Sequence, residues 1–78
     1  MFDYTTLKNS YIATVQIGLE LGFSDPKQGN DLLHDFCEKL VENSNYSEFE
    51  KQNMKRDLDL VNNALSQEIE LRLCSSQQ

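Results

Sequence analysis

Between Ser47 and Cys74 the chain carries two apolar stripes on what reads as one long helix, and that doubling constrains the fold more than any other feature. Met54, Leu58, Val61, Leu65 and Ile69 recur at spacings of four, three, four and four residues. Such spacing makes a short coiled-coil-like seam of about two heptads. Phe49, Leu60, Ala64 and Leu71 fall roughly opposite when positions advance by 100° per residue. A helix that is apolar on two sides has to be covered on two sides. Other segments of the chain can cover one stripe, and another copy or another protein would cover the second. The expectation is a homodimer that self-associates through Met54, Leu58, Val61, Leu65 and Ile69.

Punctuation residues divide the rest of the chain. Ser47 followed by Glu50 forms a capping box, after the turn-prone run Asn43-Ser44-Asn45-Tyr46. Gly22, Ser24 and Pro26 read as a helix terminator, an N-cap and a first-turn proline. Between these breaks, Leu32, Leu33, Phe36, Cys37, Leu40 and Val41 cover one helical face, while Asp31, Asp35, Glu38 and Glu42 cover the other. Gly29 weakens the first turn of that helix. Three helices are predicted, over about 4–21, 25–43 and 47–74, in an all-α single domain whose residues 75–78 are frayed.

The opening segment is ambiguous on its own. YIATVQIGLELGF, from Tyr11 to Phe23, alternates apolar and polar residues as a half-buried strand does. No second alternating run exists to pair with it, and a lone strand leaves its backbone groups unmet. Asp3 as N-cap and Gly22 after the last turn bracket a helix instead. On that helix Tyr11, Val15, Gly18 and Leu19 face inward. Ile17 lies at the edge of the apolar arc, a candidate partner contact, and Gly18 permits close approach of a neighbouring helix.

Composition sets the remaining bounds. A chain of 78 residues buries only about 60% of its unfolded surface, so self-association or a partner is the natural extra support. Cys37 and Cys74 are too few and too far apart for a disulfide framework. Thirteen acidic and seven basic side chains give a net charge of −6, which opposes direct nucleic-acid binding and anionic membranes and favours a basic protein surface. MFDYTTLKNS lacks the pattern of a signal peptide, and the 11–23 stretch, with Gln16 and Glu20, cannot span a bilayer. The expectation is therefore a cytoplasmic chain with reduced thiols, in which the sequon Asn45-Tyr46-Ser47 is coincidental.

No catalytic, cofactor-binding or metal-binding residue is assigned. His34 and Cys37 share a helix, but zinc would need two more ligands, and a single histidine assembles no triad. Lys51, Lys55 and Arg56 stand among acids that suit local pairing. The stripe Asp31, Asp35, Glu38 and Glu42 is a solvated face in its plainest reading, then a docking stripe, then a phosphate mimic. Phe2, Phe23 and Tyr46, near segment ends, are candidate interface anchors. The chain therefore reads as a non-enzymatic helical protein that binds another protein, as a regulator or inhibitor masking a functional surface. Asp31, Asp35, Glu38, Glu42, Phe49, Leu60 and Leu71 are its expected contact residues. An adaptor subunit and a nucleic-acid mimic are the alternatives. In size and charge, though not in sequence motifs, the chain is similar to the small acidic helical regulators of phages and plasmids.

Overall fold

Gly22 ends the first helix by taking φ 78° and ψ 39°, a left-handed conformation that costs other residues about 1 kcal/mol. Its N–H closes onto Leu19 O at 3.2 Å. Around this stop the computed structural model, which describes residues 3–22 and 24–76, places α1 at Tyr4–Leu21, α2 at Pro26–Glu42 and α3 at Glu48–Ser76. There is no strand among the described residues, so the alternation in 11–23 is carried by a helix. Residues 77–78 of the expected frayed tail lie outside the described residues, as do Phe2 and Phe23.

The caps follow the sequence with one shift. Asp25, not Ser24, is the N-cap of α2, and its carboxylate accepts the Gln28 N–H at 3.1 Å. Pro26 decides this, because its fixed φ suits the first helical position and drives the preceding residue out of the helical region. At α3 the Ser47 hydroxyl accepts the Glu50 N–H at 3.2 Å and donates to the Glu50 carboxylate at 3.1 Å. Asp3 sits at the N-cap of α1, where its carboxylate accepts from the Thr6 hydroxyl at 2.6 Å.

Cross-helix contacts fix the directions. Lys27 at the start of α2 pairs with Glu70 near the end of α3, and Glu42 at the end of α2 pairs with Lys55 near the start of α3. The two helices are therefore antiparallel. Tyr4 and Tyr11 meet Asp57 and Asn62 in the same order along α3, so α1 and α3 are parallel. The molecule measures 47 × 20 × 16 Å. At 1.5 Å per residue, α3 alone supplies about 43 Å of that length.

Tyr11 and Val15 of α1, Cys37 and Val41 of α2, and Leu58, Leu65 and Ile69 of α3 form the buried core, with Met54, Val61, Leu7, Leu19 and Leu33 packed against it. This corrects the expected self-association seam. Met54, Leu58, Val61, Leu65 and Ile69 face α1 and α2 of their own chain, and Leu58 and Ile69, both at 0% exposure, have no surface left to offer a second copy. Gly18 is buried on the inner side of α1.

A polar side chain sits at the centre of this core. Asn30, also 0% exposed, accepts from the Tyr11 hydroxyl through Oδ1, while its amide donates to Asn62 O and Ser66 Oγ, each at 3.1 Å. The Asn62 amide in turn donates to Tyr11 Oη at 3.4 Å. The side-chain donors and acceptor of Asn30 are thereby answered, as burial requires. Replacing Asn30 with Ala would leave the Tyr11 hydroxyl only the backbone Asn30 O at 3.3 Å as acceptor, take the amide donor from Asn62 O and Ser66 Oγ and open a void, at an expected cost of about 2–3 kcal/mol. Ser66→Ala should cost about 1 kcal/mol. Urea denaturation followed by circular dichroism checks both, and equal small losses would contradict a central role for Asn30.

Candidate functional site

The surface divides by helix face. On the outer side of α3, Phe49, Leu60 and Leu71 are 73, 63 and 70% exposed, so the second stripe stays uncovered by its own chain. Ala64 is exposed beside them. Two further apolar pairs lie elsewhere: Ile17 and Leu21 on α1, and Leu32 and Phe36 on α2, each more than half exposed.

The two helices that carry those pairs also enclose a small cleft. Thr14, Val15, Pro26, Gly29, Asn30 and Leu33 line a cleft of about 50 Å³ between α1 and α2. Advancing by 100° per residue, Ile17 and Leu21 fall on the Thr14 side of α1, and Leu32 and Phe36 on the Gly29 side of α2. Gly29 makes the floor open, since a Cβ built there meets nothing within 4 Å. A glycine within a helix weakens it by about 0.5–1 kcal/mol relative to alanine, and the packing around Gly29 does not demand it.

The acidic stripe is engaged internally more than the sequence suggests. Asp31 accepts from the Asn62 amide at 3.2 Å, and Glu42 is ion-paired with Lys55. Glu38 and Asp35 lie 3.7 and 3.6 Å from the two ring nitrogens of His34. These side chains lean toward α3, because Cys37 and Val41 point into the core beside them. Asp35, Glu38, Lys39, Glu42 and Lys55 line an open cleft of about 260 Å³ of mixed charge. Lys51 pairs locally with Glu48 at 3.8 Å, the kind of pairing expected for the basic cluster.

His34 gathers three carboxylates, of which spacing along the chain could reveal two. Its Nε2 donates to Asp59 Oδ1 at 2.7 Å, and donor atoms of His34, Asp35 and Glu38 lie within 4.8 Å of one another. The i,i+4 relation of His34 and Glu38 was visible in the sequence, whereas Asp59 arrives from α3. Imidazole with carboxylates suits first-row divalent metals in chemical type. Here the ring is already hydrogen-bonded across the α2–α3 seam, so the cluster is accounted for as a helix-to-helix tie. Cys37 is buried, which pushes its thiol pKa up and makes it unreactive, while Cys74 is exposed.

The opposite seam, between α1 and α3, centres on Tyr4. Its hydroxyl donates to Asp57 at 2.6 Å, and Lys8 reaches the same carboxylate at 2.9 Å. The Tyr4 backbone N–H donates to the Tyr46 hydroxyl at 3.3 Å, so Tyr46 contributes to the intramolecular seam. Among the described residues no helix is long and apolar enough to cross a membrane. No family model matches the chain, and neither a curated protein nor a solved structure does so.

The Tyr4 seam makes stability depend on pH at both extremes. Burial and then the Asp57 carboxylate push the Tyr4 phenol above its ordinary 10.0, and burial raises Tyr11 likewise. The Tyr4 hydroxyl and then Lys8 hold Asp57 below its ordinary 3.8. A raised phenol contributes stability that is complete below its unfolded value and lost as pH rises through the folded one. A depressed carboxyl contributes stability present above its unfolded value and lost as pH falls. The urea midpoint should therefore decline above pH 10 and below about pH 4. Tyr4→Phe should shallow the alkaline decline without abolishing it, since Tyr11 remains, and Asp57→Asn should shallow the acid one. Unchanged limbs in both variants would contradict this assignment.

Proposed function

We propose that this chain is a non-enzymatic regulator, of the inhibitor kind, that acts in the cytoplasm as a homodimer and masks a functional surface of another protein. The observation that carries the reading is the α1–α2 cleft. Its floor is an unfilled position over Gly29, its walls are Thr14, Val15, Pro26, Asn30 and Leu33, and the two helices that form it leave four large apolar side chains mostly in water. Such a surface gains free energy when an apolar anchor fills it and expels water. A pocket with apolar walls at the centre of a patch is where anchor residues of an interface concentrate their energy.

The rim supplies the sign of the partner. Glu20 follows Ile17 by one turn and Asp35 follows Leu32 by one turn, so carboxylates border the apolar strip. Those charges favour a target whose anchor is flanked by basic side chains, and they act more on encounter rate than on final affinity. The internal pairing of Asp31 and Glu42 leaves the nucleic-acid-mimic alternative with less support than an apolar docking face.

Gly29→Ala separates the two roles of this surface. Filling the open position with a methyl group should stabilise the fold by about 0.5–1 kcal/mol while weakening target binding. Immobilised wild-type chain, Gly29→Ala and Phe36→Asp would be compared for proteins retained from host lysate, with circular dichroism confirming equal helicity. A target should be held by the wild type and lost by both variants. Retention that did not distinguish the three baits would overturn the assignment of the cleft.

A further inference from the structure

The outer stripe of α3 is self-complementary. Phe49 and Leu71 each lie eleven residues from Leu60, and eleven residues advance a helix by three turns plus about 20°. All three therefore share one face over a span of about 33 Å. Between them the same face carries Asn53, Arg56, Ala64 and Gln67, all exposed. Asn53 and Gln67 are equidistant from Leu60, and so are Arg56 and Ala64.

We infer that this face binds a second copy of the chain, α3 against α3 in antiparallel orientation, with the two-fold axis at Leu60. The inference rests on the homodimer part of the reading above and names its surface. In that arrangement Leu60 meets Leu60 of the second copy, and Phe49 meets Leu71. Asn53 faces Gln67, where two amides can exchange hydrogen bonds. Arg56, the charge in this band, falls opposite Ala64, a residue small enough to leave room for it. Each position finds a compatible opposite only when the helices run antiparallel. A parallel pairing would set Arg56 against Arg56 and Phe49 against Phe49.

The areas are adequate. Phe49, Leu60 and Leu71 expose roughly 350–400 Å² per chain at the fractions given above. Two copies, with the four intervening side chains on each, approach the ~1,200 Å² at which stable interfaces begin. The charge pattern agrees. The chains carry −6 each and repel at long range, so contact through a band almost free of charge should tighten as salt screens that repulsion.

Sedimentation of the full chain between about 1 and 100 µM should show a dimer whose dissociation constant falls several-fold from 50 to 500 mM NaCl. Leu60→Asp should abolish it with helicity intact, because Leu60 contributes nothing to the core. Orientation is read from Asn53→Cys and Gln67→Cys, each in a Cys74→Ser background, mixed and oxidised with copper–phenanthroline. The mixed disulfide should dominate both symmetric ones. A wild-type monomer at 100 µM would overturn both this inference and the homodimer reading. A dimer that survives Leu60→Asp, weakens with salt or forms chiefly Asn53→Cys pairs would overturn only the antiparallel α3 interface.

Discussion

Asn30 has no accessible surface, and it is tied to Tyr11 of α1 and to Asn62 and Ser66 of α3. Apolar burial supplies most of the drive to collapse, but it is non-directional. Helices carrying Val41, Leu58 and Ile69 could slide by a turn and still bury most of those side chains. The amide of Asn30 cannot slide, because its donors need Asn62 O and Ser66 Oγ at hydrogen-bonding distance and a mismatch leaves them buried and unmet. One asparagine therefore sets the register of all three helices. The ties at Tyr4–Asp57, His34–Asp59 and Lys27–Glu70 fall into place along the length that register defines.

Once register is set, the allocation of surfaces follows. The inner stripe of α3 is consumed by α1 and α2, which leaves Phe49, Leu60 and Leu71 pointing away from the bundle. On α2, placing Asn30, Cys37 and Val41 inward turns His34 and Glu42 toward α3, and Leu32 and Phe36 toward solvent beside α1. The negative charge of the chain is consequently concentrated along seams, where several carboxylates already have partners. What remains for contact is apolar with acidic margins. Binding through such surfaces draws its strength from side chains that fill pockets, with charge acting on approach and selectivity.

The helices were legible because their boundaries are local chemistry. Gly22, Pro26 and the Ser47–Glu50 pair are recognisable without tertiary context, and they place the ends within two residues of those observed. The strand-like alternation of Tyr11 to Phe23 misleads only if read apart from the absence of a pairing segment. The interior was harder to read. Asn30 follows a glycine in the first turns of α2, a place where a polar residue ordinarily faces water, and only Tyr11, Asn62 and Ser66 from distant positions make its burial affordable. The same distance hid Glu42–Lys55 and His34–Asp59. Periodicity showed that α3 has two apolar faces, spaced four, three, four and four on one side and eleven, four and seven on the other, but not which lies inside; the regular seam is the inner one.

The exposed leucines and phenylalanines also shape how the chain responds to temperature. Heat capacity of unfolding scales with apolar surface newly wetted, about 12–15 cal/mol/K per residue in typical domains. Here Leu21, Leu32, Phe36, Phe49, Leu60 and Leu71 are already wet when folded, so the isolated chain has less apolar surface to release. Its stability curve should correspondingly be broader, with less curvature to bring on denaturation by cold. Covering those side chains in a complex would restore the missing heat capacity. The assembled state would then have a sharper optimum temperature than its parts.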